Sequence, residues 1–370
     1  MEYVRLGKND VSRLGFGCMR LPETNTGIDY DEALRMAEYA INNGVNYFDT
    51  AYVYHNGNSE TFVRKVIEKF GRDKIFVADK LPMFNVRTEE DFQKFLDEQL
   101  EKLGTEYIDY YLFHCLGTKF FNVMKEFNYK DFIKKNMENG KIKHIGFSFH
   151  DDLASFEEII DDYNWDFCQI QLNYLDVEYQ AGLAGYEYAV EKGIPVIVME
   201  PIRGGELANI PQPIRELFDS CELKKYSNAE IALKFVGNWE NNKVILSGMH
   251  AMNELEENIN LFSSNLISTL NTDEKFIYAC ARKDFYNYKF INCTGCDYCK
   301  DGCPSNIPIS EIFLKYNSDV KNPSWANSGW YKKLAANAEN CISCGACEGS
   351  CPQHLEIMEK LQLVHDHFND

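Results

Sequence analysis

The sequence predicts an α/β fold: a (β/α)8 barrel with an N-terminal hairpin before it and a mainly helical module after it. Three observations carry this. Over the first 270 residues short β-prone runs alternate with amphipathic helical stretches at a spacing of roughly thirty residues, the mark of parallel βαβ units. Gly15-Phe16-Gly17-Cys18-Met19 lacks the third glycine and the helix opening of the dinucleotide fingerprint of open sheets. Eight of the thirteen cysteines fall between residues 293 and 351, so the chain divides into segments 1–270 and 271–370.

Two short β-prone stretches flank the turn Gly7-Lys8-Asn9-Asp10, a hairpin placed to plug the barrel floor. Eight strands are expected next, at Leu14–Cys18, Val45–Asp49, Ile75–Ala78, Ile108–Phe113, His144–Phe147, Phe167–Gln171, Ile194–Met199 and Val244–Leu246. Helices are expected between them, such as Asp31–Asn42, with apolar Leu34 and Ala37 and a Gly44 stop, and Thr88–Lys102. Residues 271–290, with Phe276, Tyr278, Phe285, Tyr286, Tyr288 and Phe290, read as packing that joins the barrel to the cysteine module. Within that module Ile309–Tyr316 and Leu355–His365 read as helices, and Trp325, Trp330 and Tyr331 as packing residues.

A hydrophobic content of 45% with 26% charged residues is that of a globular protein. The net charge of −19 has the wrong sign for nucleic acid or an anionic membrane. No apolar run reaches the length of about 18 residues that a membrane span needs, and Met1-Glu2-Tyr3-Val4-Arg5 lacks the design of a secretion signal. A cytoplasmic protein is expected. A tight cysteine cluster in a long chain points to a metal or redox site rather than to disulfides.

Reactive groups of a parallel barrel sit at the carboxyl ends of its strands. Asp49 ends the second predicted strand, Tyr54 follows five residues later, Lys80 closes the third and His114 the fourth. Any one of them alone suits a cap or a solvated loop. Together they suit proton donation to a carbonyl oxygen. A phenol with an ordinary pKa of about 10 needs a nearby cation, which Lys80 supplies, while Asp49 holds Lys80 and His114 aims the oxygen. No side chain gives hydride, so a nicotinamide or a flavin is implied.

These residues resemble the aldo-keto reductase family over roughly residues 1–265, as do Leu14-Gly15-Phe16-Gly17, Met19-Arg20-Leu21-Pro22, Thr50-Ala51 and Gly57-Asn58-Ser59-Glu60. The resemblance implies interconversion of a small carbonyl and an alcohol with NAD(H) or NADP(H), catalysed by Asp49, Tyr54, Lys80 and His114. It implies cofactor contacts from Met19, Asp49, Ser148, Gln171, Met199, Glu200, Ile202, Arg203, Gly204, Gly248, Glu257 and Asn258. Phe149 stands where the family usually has Asn, and Met199 where an aromatic often stacks on the nicotinamide. Where NADPH users place Lys and Arg, the register gives Met249 and Glu254, which favours NADH. Arg203 with Gly204-Gly205 would equally suit the phosphate of a flavin.

Cys293-x2-Cys296-x2-Cys299-x3-Cys303-Pro304 and Cys341-x2-Cys344-x2-Cys347-x3-Cys351-Pro352 are two copies of the run that wraps a 4Fe-4S cube. The fourth cysteine of such a run ligates the other cube, which assigns Cys293, Cys296, Cys299 and Cys351 to one and Cys341, Cys344, Cys347 and Cys303 to the other. Zinc prefers separated Cys-x2-Cys pairs. The 37 residues between Cys303 and Cys341 favour a helical two-cluster module of ferredoxin type. Of the remaining cysteines, Cys18 and Cys115 lie at predicted strand ends, where they would line the barrel pocket.

A nicotinamide hands over two electrons as hydride, while each cube takes one. Three readings stay open. A flavin splits the pair; or the barrel reduces a carbonyl while the clusters serve structure, sensing or docking; or the cubes feed a barrel site of different chemistry. The expected partners are a small carbonyl or alcohol and a ferredoxin-like redox protein. The competing reading is an electron-transfer or docking protein whose barrel is a scaffold with little turnover.

Overall fold

A computed structural model of the chain describes residues 1–264, 266–267, 270–300 and 302–369. It contains two compact units, Met1–Pro201 with Leu233–Leu270, and Ile202–Ala232 with Asn271–Asp370. The division differs from a single break at residue 270, because the stretch after the seventh barrel strand belongs with the C-terminal unit. Phe218, on helix Gln212–Asp219, packs edge-on against Tyr278 of helix Thr272–Phe285 with ring centroids 5.3 Å apart. Tyr278 also donates its hydroxyl hydrogen to Ile231 O at 2.7 Å. The aromatic segment 271–290 thus packs within its own unit, with Phe276 and Tyr286 exposed.

In the first unit β1 (Tyr3–Leu6) and β2 (Asn9–Ser12) pair antiparallel, and β3 (Leu14–Gly17) opens the barrel. A short ribbon of β4 (Glu23–Thr24) and β5 (Gly27–Ile28) follows. The other barrel strands are β6 (Tyr47–Asp49), β7 (Phe76–Leu81), β8 (Ile108–Leu116), β9 (Ile142–Phe149), β10 (Phe167–Gln171), β11 (Val196–Met199) and β12 (Asn242–Ser247). All eight are parallel and close in the order β10-β11-β12-β3-β6-β7-β8-β9. Each predicted strand is present. Helices Thr118–Glu126 and Tyr129–Glu138 add cover over β8 and β9.

The hairpin closes the floor. Leu6 and Val11 join Tyr47, Ala78, Tyr110, Leu112, Phe167, Ile197, Val244 and Leu246 in one buried cluster. Full burial of such apolar side chains contributes roughly 1.5–3 kcal/mol each. Asn9 Nδ2 donates to the Tyr110 hydroxyl at 3.0 Å, and that hydroxyl donates to Leu6 O at 3.1 Å. Gly15 keeps the wall thin there, since a Cβ on it would stand 2.6 Å from Leu246 Cδ2.

In the second unit helices Ile309–Lys321, Trp325–Tyr331 and Ile357–Asn369 enclose a core of Ile312, Phe313, Tyr316, Tyr331, Leu361, Val364 and Phe368. The first of these outruns its prediction by five residues, up to the Asn322-Pro323 step that stops it. Tyr331 is fully buried, whereas Trp325 is 89% exposed and packs no core.

Candidate active site and cysteine cavities

Side-chain alternation builds the barrel mouth. Tyr47, Ala78 and Leu112 point into the buried floor layer, so Asp49, Lys80 and His114, two residues further along each strand, point inward one layer higher. The same step leads from Ile197 to Met199 and from Leu246 to Gly248, and two steps lead from Phe167 to Gln171. His144 stacks on Tyr110 at 5.1 Å, which places Ser148 in the same layer.

The four predicted catalytic residues converge. Lys80 is fully buried, its Nζ 2.6 Å from Asp49 Oδ1 and donating to Thr50 O at 2.7 Å. It also lies 5.0 Å from the centroid of the Tyr54 ring. Tyr54 meets the His114 ring edge-on at 6.1 Å, and Phe84 flanks His114 at 5.7 Å. Burial and the Asp49 carboxylate push the Tyr54 phenol well above its ordinary pKa. Burial and Lys80 hold the His114 imidazole well below its own, so it is neutral. In the resting site burial and Asp49 outweigh the cation, so the phenol rises although Lys80 Nζ stands 5.0 Å from its ring centroid.

The backbone after Tyr54 turns sharply, with His55 at φ 50°, Asn56 at 55° and Gly57 at 82°. His55 Nε2 accepts the Leu21 N–H at 3.2 Å, so the hydrogen is on Nδ1, 2.7 Å from Glu23 Oε1. His55 therefore ties the loop after β3 to the chain that carries Tyr54. Sequence reasoning missed it, although it directly follows Tyr54.

The predicted cofactor positions are more dispersed. Ser148 Oγ accepts from Cys115 N at 2.9 Å, and Gln171 Nε2 donates to Asp176 Oδ2 at 3.0 Å. Met199 Sδ lies 3.5 Å from Gln169 Nε2, Glu200 follows β11 at φ 55°, and Gly248 lies against the Arg20 side chain. Asn258 is buried and donates to Ser247 Oγ at 3.0 Å, while Met19 and Glu257 are half-buried. Ile202, Arg203 and Gly204 are counted with the C-terminal unit. There Arg203 pairs with buried Glu206 at 3.5 Å, and Gly204, at φ 65°, rests on the Thr294 carbonyl. Cys115, at φ 55°, sits at the bulge of β8, and buried Cys18 donates its N–H to Asp49 O at 2.8 Å.

The cysteines line two cavities in the C-terminal unit. Cys293, Cys296, Cys299 and Cys351 surround one of about 330 Å³, walled by Ile309, Phe313, Leu355 and Ile357. Cys303, Cys341, Cys344 and Cys347 surround one of about 310 Å³, walled by Ile307, Ile309, Met358 and Leu361. Ile309 borders both. The backbone repeats as the spacing does: Gly295, Asp297 and Asn306 have positive φ in one run, and Ser343, Gly345 and His354 have it at the matching places of the other. Such left-handed steps make concave nests of backbone N–H groups that suit anionic Fe–S sites. Ser310 donates its hydroxyl to Asp297 beside the first cavity. Burial raises the Cys293 thiol to about 11 and the Cys299 thiol to about 12, so ionising them at neutral pH needs a positive partner. Among the described residues no three His, Cys, Asp or Glu side chains gather on one ion. Four soft donors around an apolar hollow fit a cube.

A closed parallel barrel with this mouth defines an oxidoreductase-type site, and the cavities define a two-cluster module. The chain belongs to the aldo/keto reductase family, whose model matches residues 13–271; a 4Fe-4S dicluster domain matches residues 292–356. It is 33% identical over 159 residues to a probable aldo-keto reductase of Glycine max, across 40% of this chain and 45% of that protein. It is 27% identical over 230 residues to the NADH-specific methylglyoxal reductase of Escherichia coli, across 56% of this chain and 69% of that one. The chain spans about half the length of the first curated relatives it matches, 45% and 49%. An aldo-keto reductase from Bacillus halodurans in its holo form has the same fold, with a TM-score of 0.63 at 23% identity over 76% of this chain and 96% of that one. No described helix is long and apolar enough to cross a membrane.

Proposed function

We propose that the chain interconverts a small carbonyl compound and its alcohol, with Tyr54 as general acid and base and with two 4Fe-4S clusters in the C-terminal unit. The convergence of Asp49, Tyr54, Lys80 and His114 on one inward-facing layer carries this reading. Hydride for the carbonyl carbon would come from a nicotinamide held there, with Ser148 and Gln171 at its carboxamide. Tyr54, kept protonated by burial and by Asp49, donates its proton to the carbonyl oxygen as charge develops there. Neutral His114 hydrogen-bonds the same oxygen and aims it. Lys80, fixed by Asp49 and Thr50 O, offsets the phenolate that proton transfer leaves. Alcohol oxidation runs the same proton back to Tyr54.

NADH is the proposed donor. Met249 is buried, and Glu254 pairs with His250 at 3.1 Å in the first turn of helix Met252–Ser263. A carboxylate there repels a 2′-phosphate and accepts from a ribose hydroxyl. The assignment of four thiols to each cavity supports crossed ligation of the two cubes. The two cavities share Ile309 as a wall, which would suit one-electron exchange between the cubes, and a ferredoxin-like partner would deliver or take the electrons.

The test is anaerobic purification, identification of the bound cofactor, and comparison with Tyr54→Phe. The variant should lose roughly 10²–10⁴-fold in carbonyl turnover while keeping the visible cluster absorbance. Full turnover in the variant, or a flavin in place of the nicotinamide, overturns the hydride mechanism. Tighter binding of NADPH than of NADH overturns the cofactor preference.

A further inference from the structure

The polarity of one buried amide is fixed by a chain of hydrogen bonds that starts at the backbone. After β10, the Leu175 and Asp176 N–H groups donate to Asn173 Oδ1 at 2.9 and 3.0 Å. Backbone N–H groups cannot reverse, so the Asn173 amide must present its NH2 on the other side. There Asn173 Nδ2 donates to Asp176 Oδ2 at 2.9 Å. The same oxygen takes Gln171 Nε2 at 3.0 Å. A carboxylate only accepts, so it admits the nitrogen of Gln171 and turns its oxygen away.

That oxygen has an unusual position. Gln171 is 2% exposed, and its Oε1 has no hydrogen-bond partner. Strand alternation from Phe167 aims the side chain into the barrel mouth. An unpaired buried acceptor costs roughly 1–3 kcal/mol, which a donor on a ligand recovers. The facing layer holds the complement: Ser148 Oγ already accepts the Cys115 N–H at 2.9 Å, which leaves its hydrogen to donate.

We propose that Asp176 is a positioning residue that sets the polarity of the Gln171 amide, so that the mouth offers one acceptor, Gln171 Oε1, and one donor, the Ser148 hydroxyl, to a primary carboxamide. This rests on the nicotinamide reading given above. Asp176 touches neither cofactor nor substrate in this role. It acts through Gln171, and Asn173 holds it in place.

The test compares binding of NADH with binding of the reduced analogue in which an acetyl group replaces the carboxamide and removes its N–H. Fluorescence titration of the full-length holoprotein gives the ratio of the two dissociation constants for each variant, so a general weakening of the site cancels. The wild type should favour the carboxamide by about tenfold, the worth of one buried hydrogen bond. Asp176→Leu removes the acceptor that holds the Gln171 nitrogen, leaves that amide able to turn either way, and should bring the ratio to within about threefold of unity. Asp176→Glu keeps a carboxylate and should keep the wild-type preference. An unchanged ratio in an Asp176→Leu protein that binds NADH overturns the positioning role alone, as does a wild type that does not discriminate. A wild type that binds neither dinucleotide overturns the nicotinamide reading, and the role of Asp176 with it.

Discussion

The barrel mouth and the cysteine cavities present reactive groups in opposite ways. Asp49, Lys80 and His114 come from three neighbouring strands far apart in sequence, and only the parallel pairing of those strands brings them into one layer. Each cysteine run instead shapes itself within about fourteen residues, repeating positive φ at the same places in both copies, and borrows only its last thiol from the other run. The mouth is a product of global topology. The cavities are products of local backbone, completed by exchange between repeats.

That contrast can be broken or sharpened. The largest expected effect is at Lys80: replacement by Met leaves Asp49 buried without its cation, which should cost about 3–5 kcal/mol in denaturant unfolding of the barrel. Cluster absorbance should survive under native conditions; its loss would show that the loops lean on the barrel. Cys299→Ser removes one thiol from the first cavity only, so iron analysis should find about half of the wild-type content. Complete loss of iron would mean that the two runs form only together.

Smaller effects probe the local geometry. Gly345 sits at φ 73°, where any Cβ is strained, and Gly345→Ala should cost about 1–2 kcal/mol in the C-terminal unit. The matching residue of the other run, Asp297 at φ 64°, already bears that strain, so Asp297→Gly should move stability the other way unless the bond from Ser310 offsets it. The smallest effect is one of pH. Because burial and Lys80 depress His114, the native state binds fewer protons than the unfolded chain just below about pH 6.5. Stability therefore falls as pH drops through that window. His114→Asn should reduce the fall between about pH 7.5 and 5.5 by about 1 kcal/mol, measured by unfolding at both pH values. An identical fall in the variant would place the imidazole in an ordinary environment.

Much of this was legible in the sequence, for physical reasons. Buried parallel strands are continuous apolar runs, so all eight appeared, and polar residues that end such runs stand out as mouth residues. Cysteine spacing is local and survives without any knowledge of packing. What escaped depends on distance. Residues 202–232 join the C-terminal unit through Phe218, Tyr278 and the Ile231 carbonyl, contacts without a periodic signature. The rise of the Tyr54 phenol beside a cation follows from its burial and from the nearby Asp49 carboxylate, which composition cannot give. Asp176 and His55 were missed because each works through a neighbour, and Trp325 because an exposed tryptophan reads like a buried one.

The two cavities are not equally sheltered. Cys293 and Cys299 are buried, whereas Cys344 of the other set is exposed, beside an Ile342 that is 66% exposed. Small oxidants thus meet one ligand set before the other. Under a brief, measured dose of air, iron held by Cys303, Cys341, Cys344 and Cys347 should be released first, giving a half-loaded form as a discrete stage on the way to inactivation.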